Sequence, residues 1–240
     1  ISLMVGILIP MVYRVWESSE IDTTKNRMSA LKIAMVGDPK LIQNGVRTHF
    51  GFVGDIGQLP EEQHLENLIQ PPAWVAANWN GPYLPMGFDP VEYKTDAWGK
   101  EIKYTIKQIV AGRRVSGQLK SFGPNRTDDD GSSDDIVISI EQNEVIPTSI
   151  IQGNIYLFFD NTPHVTSYDY KICARYRDGS GNLPLPVCSN VCNNSGNFSA
   201  DAQSPPPISV TNYSFTPLPN DIFTVGPVYF IARLYTTGTS

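Results

Sequence analysis

The fold follows from residues 1–36, which read ISLMVGILIPMVYRVWESSEIDTTKNRMSALKIAMV. In the second half of this stretch, apolar residues recur at intervals of seven, three and four positions, which is typical of one face of an amphipathic helix. These residues are Ile21, Met28, Leu31 and Met35. The pattern predicts one continuous helix from about Ser2 to Val36, which ends at the Gly-Asp-Pro sequence of residues 37–39.

The first half of the helix is almost entirely apolar over residues 1–15. A membrane-spanning helix needs roughly 20 apolar residues, so this run fits a buried helix, the core of a signal peptide or a truncated span. The helical pattern continues without a small-residue cleavage site, which favours a truncated span. Pro10 removes one backbone hydrogen bond and is expected to kink the helix or melt one turn. An ordinary core helix that tolerates a proline is the alternative.

The overall composition excludes several classes of function. The 240 residues are 41% hydrophobic and 18% charged, with 19 Gly and 19 Pro, which indicates a folded, loop-rich chain with much β-structure. A net charge of -6 argues against a nucleic-acid partner, because tracking phosphates requires clustered Lys and Arg. There is no phosphate-binding loop, nucleophile elbow or zinc-protease helix, and the three histidines are isolated in the sequence. The chain is therefore predicted not to be an enzyme.

Three turn-rich segments bounded by aromatic residues follow the helix, and an acidic loop follows them. They are GDIGQLP at 54–60, WNGPYLP at 79–85, TDAWGKEIKY at 95–104 and SFGPNRTDDDGSSDDI at 121–136. In this order, and together with the N-terminal helix, they resemble the type IV pilin-like family, most closely the major pseudopilin of type II secretion. The resemblance covers about residues 1–140. Ala97 stands where that family usually has proline, which is expected to alter the rigidity of the turn and not the fold.

The resemblance implies an α+β fold in which a long N-terminal helix packs on a small antiparallel sheet. It also implies a filament subunit of the bacterial envelope, anchored in the inner membrane before assembly and periplasmic or extracellular afterwards. Its partners would be copies of itself, other pilin-like subunits and the inner-membrane assembly machinery. Mature chains of the family begin with a methylated aromatic residue and carry a glutamate soon after, so we expect that the first part of the mature helix is missing here. The predicted assembly helix comprises Pro10, Ile21, Met28, Leu31 and Met35.

The acidic loop crowds five aspartates into residues 128–135. By composition alone, a calcium site and a solvated acidic loop are equally good interpretations, because calcium accepts six to eight oxygen ligands in flexible geometry. The resemblance favours calcium, since the corresponding family loop binds that ion. Asn125 replaces an acidic residue of the family and should weaken the site, for which two neighbouring aspartates could compensate. The predicted ligands are the Leu119 carbonyl, Ser121, Asn125, Asp128, Asp130, Asp134 and Asp135.

From about residue 145 the apolar pattern changes to a period of two, which predicts strands closed into a β-sandwich-like domain. The three cysteines Cys173, Cys188 and Cys192 lie here. A disulfide from Cys173 to either of the others is favoured in an oxidising compartment, and a zinc site is the weaker interpretation.

The predicted units are a stalk helix at 1–36, a pilin-like head at 37–144 and a β-rich domain at 145–240. The function predicted is that of a structural filament subunit. The alternative is a minor pilin or adhesin whose C-terminal domain binds a ligand or partner subunit.

Overall fold

A computed structural model describes residues 2–75, 79–84, 92–146, 151–157, 167–182, 195–199, 208–215 and 224–236. Side chains are described at 15–75, 79–84, 92–146, 175–182, 224–229 and 231. The elements comprise a long helix, a head built around a three-stranded sheet, and two further sheets toward the C-terminus. The predicted α+β class, with a long N-terminal helix and small antiparallel sheets, is confirmed.

Helix α1 runs from Ser2 to Val36 as one uninterrupted element, as predicted. The backbone stays helical through Pro10, so no turn is melted there. Side chains 15–19 are exposed, whereas Thr24 and most positions from Met28 onward toward the head are buried or half-buried. The helix therefore leaves the head N-terminal to about Ile21. Within the described part of the chain, no helix combines the length and apolar character needed to cross a membrane.

The second half of α1 packs into the subunit's own core. Met28, Leu31 and Met35 are at most 1% exposed and belong to the same apolar cluster as the head residues Phe52 and Tyr104. Ile21 is partly buried against this cluster. This corrects the prediction that these positions form an assembly surface, since the head already covers the three that are fully buried.

The segment after α1 turns the chain back onto the helix. Strands β1 (Ile42–Gln43) and β2 (Val46–Arg47) form a short hairpin, which leads into helix α2 (Gly51–Ile56). The Arg47 guanidinium donates a hydrogen bond of 2.5 Å to the carbonyl of Val36 and so caps the end of α1. Two 3₁₀ turns follow, at Leu65–Leu68 and Glu92–Lys94.

The head sheet is antiparallel, with the order β3 (Lys103–Val110), β4 (Arg113–Ser121) and β5 (Ile136–Ile140). Residues of β4 alternate strictly between buried and half-buried, because successive side chains of a strand point to opposite faces. The buried face carries Val115 and Leu119 into the cluster that also holds α1. A one-turn helix α3 (Gln142–Val145) ends this part of the chain.

The described segments of the C-terminal part form five strands in two antiparallel sheets, which agrees with the predicted β-rich character. The strands are β6 (Ile151–Leu157), β7 (Ser167–Arg175), β8 (Ser195–Ser199), β9 (Ile208–Phe215) and β10 (Tyr229–Thr236). One sheet pairs β6 with β9, and the other has the order β10, β7, β8. Cys173 lies on β7 opposite Ile231, whereas Cys188 and Cys192 lie outside the described residues. The disulfide stays a prediction.

Two C-terminal segments contact the head mainly through backbone groups. The N–H of Gly181 donates to the Ile56 carbonyl at 3.1 Å, and the N–H of Val225 donates to the Val145 carbonyl at 2.7 Å. Gln58 donates from its side-chain amide to the Gly179 carbonyl. The chain after β7 is thereby tied to the chain around α2, so this part of the C-terminal region is joined to the head.

The first prediction concerns the packing of α1. Replacement of Leu31 by Ala should lower the free energy of unfolding by about 2–5 kcal/mol, because it removes a fully buried side chain and leaves a cavity. Lys25→Ala, at an exposed position of the same helix, should change it by no more than about 0.5 kcal/mol. Urea unfolding of both variants measures the difference. Equal stabilities would contradict the packing of α1 against the head.

A pair of glycines tests the contact between the C-terminal segment and the head. Gly57 and Gly45 both have a left-handed backbone, with φ of 89° and 77°. A Cβ at Gly57 would lie 2.9 Å from the Arg177 carbonyl oxygen, whereas a Cβ at Gly45 would have no atom within 4 Å. Gly57→Ala should therefore cost clearly more stability than Gly45→Ala, for which only the backbone strain of about 1 kcal/mol applies. The comparison is made by thermal unfolding, and equal losses would rule out the close contact.

Candidate functional site

The turn at residues 95–99 is organised around a buried aspartate. Asp96 is 1% exposed, and its Oδ1 accepts hydrogen bonds from the N–H of Trp98 at 3.1 Å and of Lys100 at 2.8 Å. An aspartate that bonds the backbone just after itself replaces a backbone turn, which is why this residue type suits the position. The sequence pattern singled out this segment only as a family marker, and the structure gives its carboxylate a definite structural role.

This turn is docked on helix α1. The N–H of Ala97 donates to Thr24 Oγ1 at 3.0 Å, and the Thr24 side chain is fully buried. Arg27 donates to the carbonyls of Thr95 and Asp96 at 3.1 and 3.2 Å, and it forms an ion pair with Glu92. These two helix residues form hydrogen bonds with backbone groups of the turn. The position of α1 therefore determines the position of the turn.

The same aspartate connects the turn to the acidic loop. Ser121 Oγ donates to Asp96 Oδ2 at 2.7 Å, and the N–H of Gly123 donates back to Ser121 Oγ at 3.2 Å. Ser121 is fully buried and ends β4, where the acidic loop begins. A continuous set of hydrogen bonds therefore runs from the helix to the first residues of the loop.

Within the loop, the amide of Asn125 lies between two aspartates. Its Nδ2 donates to Asp129 Oδ2 at 2.8 Å and to Asp134 Oδ1 at 2.6 Å. The N–H of Thr127 donates to Asn125 Oδ1 at 2.6 Å, which determines which end of the amide faces the carboxylates. The backbone N–H of Asn125 donates to Asp134 Oδ2 and is the main reason that the pKa of Asp134 is lowered.

Asp128 points out of the loop toward the sheet. Its carboxylate forms ion pairs with Lys120 and with Lys103, the latter at 3.4 Å. The hydrogen bond with Lys120 is the main cause of the lowered pKa of Asp128, and it also raises the pKa of Lys120. Of the other predicted ligands, Leu119 is fully buried in the core, and Asp130 contributes a backbone N–H to Asp128.

Asp135 holds the far end of the loop. Its Oδ2 accepts the N–H groups of Asp129 and Gly131 at 3.1 and 2.8 Å. Its Oδ1 is buried and has no hydrogen-bond partner among the described residues. It is the one buried carboxylate oxygen of the described loop without a partner, whereas calcium needs six to eight oxygen ligands.

The donor set is chemically suitable for calcium, but its present arrangement does not fit the ion. Asn125 turns a donor toward the two aspartates, Ser121 donates to Asp96, and Asp128 is paired with lysines. In the described ranges, no group of three His, Cys, Asp or Glu side chains is disposed to hold a metal ion. Calcium binding stays a prediction.

The sequence analysis missed the lysines and the helix residues that organise this site. Lys103 and Lys120 are directly opposite each other on β3 and β4, a relation that appears only once the strand register is known. Thr24 and Arg27 lie three residues apart on α1, the spacing that places two side chains on one face of a helix. That spacing was the available signal for a polar docking site beside the apolar stripe.

Comparison with known proteins identifies one family. Residues 48–139 match the family model described as type II secretion system (T2SS), protein G. The match covers less than half of the chain and includes the head sheet and the acidic loop, but not α1 or the C-terminal strands. No curated protein and no solved structure matches the chain.

The hydrogen bond between Ser121 and Asp96 generates a prediction. Ser121→Ala leaves a buried carboxylate oxygen without this donor, which should cost about 1–3 kcal/mol of stability. Ser139→Ala, at an exposed position on the neighbouring strand β5, is the control and should stay within about 0.5 kcal/mol. Both are measured by chemical denaturation. If the two variants lose the same amount, the connection between turn and loop does not contribute to stability.

Proposed function

Because residues 48–139 match the family of type II secretion system protein G, we propose that this chain is a pseudopilin-type structural subunit that assembles through α1. Pseudopilins of this family are filament subunits of type II secretion, and they are structural components and not enzymes. We further propose that assembly proceeds through the N-terminal part of α1, residues 2–20, which we call its outer half. The outer half packs against the helices of neighbouring subunits.

The observation that carries the proposal is the division of α1 into two halves. Met28 and Met35 are 0% exposed against the head, whereas Val15 and Trp16 are 66% and 67% exposed on the part that projects from it. Val15 is the last residue of the largely apolar stretch 1–15, and Trp16 directly follows it. Adjacent apolar side chains that the subunit leaves this exposed favour burial by another molecule.

Identical helices are suitable partners for this surface. Because α1 is one continuous helix, bending its N-terminal part back onto the head would break backbone hydrogen bonds. Lateral packing of several copies would bury the apolar positions and leave the heads outside. Burial of one tryptophan or valine side chain contributes about 1.5–3 kcal/mol, so several per subunit suffice for a stable bundle.

The family is one of periplasmic filament components. Anchoring in the inner membrane before assembly, the methylated start and contacts to the assembly machinery belong to the proposal. So do the three units at 1–36, 37–144 and 145–240. Other pilin-like subunits are the expected partners, with the head and the C-terminal sheets facing outward.

The C-terminal strands provide the one reason to keep the alternative function, a minor pilin or adhesin. They lie outside the matched region, and their turns at 176–182 and 224–226 are tied to the head. A binding domain held firmly on its carrier would suit a subunit at the filament tip. A tip subunit should not form long fibres alone, so self-assembly separates the two functions.

Assembly is tested by electron microscopy of the purified full-length chain. The unaltered protein should form long fibres, and the double variant V15D/W16D should not, because two charges on the outer half would be buried without partners. The double variant N26D/S29D adds the same charge at exposed positions of the head half, and it should still form fibres. Circular dichroism checks that each variant retains a folded head.

Two results would contradict the proposal. Fibres of V15D/W16D as long as those of the unaltered chain would show that the outer half of α1 is not the contact. A purified chain that stays monomeric but caps fibres made by another subunit would favour the tip function instead.

A further inference from the structure

We propose that two lysines of the head sheet hold the acidic loop of this chain in place, so that the loop keeps its conformation without a metal ion. The proposal concerns the folding of the head and is independent of how the subunit assembles. It departs from the calcium-binding loop that the family resemblance implies.

Two lysines of the head sheet lie side by side, and their like charges favour an anion between them. Lys103 on β3 and Lys120 on β4 are direct cross-strand partners in the antiparallel register. Like charges that face each other across a strand pair are destabilising unless an opposite charge lies between them. The carboxylate of Asp128 supplies that charge, with one oxygen on each ammonium group. The loop therefore neutralises positive charge on the sheet, and the sheet neutralises negative charge on the loop.

The Lys120 ammonium group also interacts with a neighbouring aromatic ring. Its side chain is only 12% exposed, against 34% for Asp128, and it lies 5.6 Å from the centre of the Phe122 ring. A cation over an aromatic face is attracted to the face of the ring. This makes Lys120 the stronger of the two anchors, since the Lys103 side chain is 44% exposed.

Three of the four remaining aspartates, Asp129, Asp134 and Asp135, are stabilised by donors that belong to the loop itself. The Asn125 amide separates Asp129 from Asp134, which would repel each other if left adjacent. Backbone N–H groups of the loop bond Asp135 Oδ2. In a calcium-dependent loop the ion would neutralise the charge of the carboxylates. Here hydrogen-bond donors and ammonium groups take its place.

Thermal unfolding of the full chain tests the proposal, with excess calcium and with a chelator. The melting temperature of the unaltered protein should be the same in both conditions within about 1 °C. A loop that binds calcium only when folded would instead be stabilised by mass action, and the melting temperature would rise with the calcium concentration. Such a rise of more than about 5 °C would overturn the proposal.

Variants test the lysine contact directly. Lys120→Met should lower the melting temperature by about 2–4 °C in chelator, and Lys120→Arg should restore most of the loss. Asp128→Asn removes the same ion pair from the other side and should have a similar effect, which keeps the test valid if Lys120→Met does not fold. Asp130→Asn removes the same charge two residues away, at an exposed position without a lysine contact in the described structure, and should leave the melting temperature unchanged.

Two outcomes with these variants would contradict the lysine contact. Equal melting temperatures for Asp128→Asn and Asp130→Asn would show that Asp128 has no special partner. A Lys120→Met protein as stable as the unaltered chain would show that the loop does not depend on that ammonium group.

Discussion

The packing of the second half of α1 on the head is the constraint on which the rest of the molecule depends. Met28, Leu31 and Met35 enter a core that also contains Phe52 of α2, Tyr104 of β3 and Leu119 of β4. Each of these elements is too short to bury its apolar face alone, and the helix supplies the common surface. Because the helix is continuous, its attachment to the head also fixes the direction in which the uncovered half projects.

Polar contacts connect the helix to the acidic loop, so the position of the helix affects the conformation of the loop. Thr24 and Arg27 hold the turn around Asp96, and Asp96 in turn accepts from Ser121 at the start of the loop. Each partner is buried or half-buried, so the loss of one bond leaves a polar group without water to replace it. The conformation of a surface loop thus depends on a helix residue about a hundred positions earlier in the chain.

Sequence alone predicted the helix well, since apolar residues that recur at helical spacing over so long a stretch are characteristic of a helix and not of a strand. It also predicted the β-rich character of the C-terminal part, although it named only three of the five described strands there. The family resemblance predicted that the helix packs on a sheet, but the apolar pattern did not show which positions face the head and which face other subunits. Met28, Leu31 and Met35 were assigned to contacts between subunits, but periodicity indicates only that a face is buried and not which molecule buries it. The interpretation of the acidic loop omitted Lys103 and Lys120, because their proximity to Asp128 depends on strand register.

The central claim is that α1 has one half covered within the subunit and one half covered only in the filament. Hydrogen exchange of backbone amides, compared between the isolated subunit and the assembled fibre, tests it most directly. The account predicts that residues 24–36 are protected in both states and that residues 15–20 gain strong protection only on assembly. Equal exchange at residues 15–20 in the two states would contradict it.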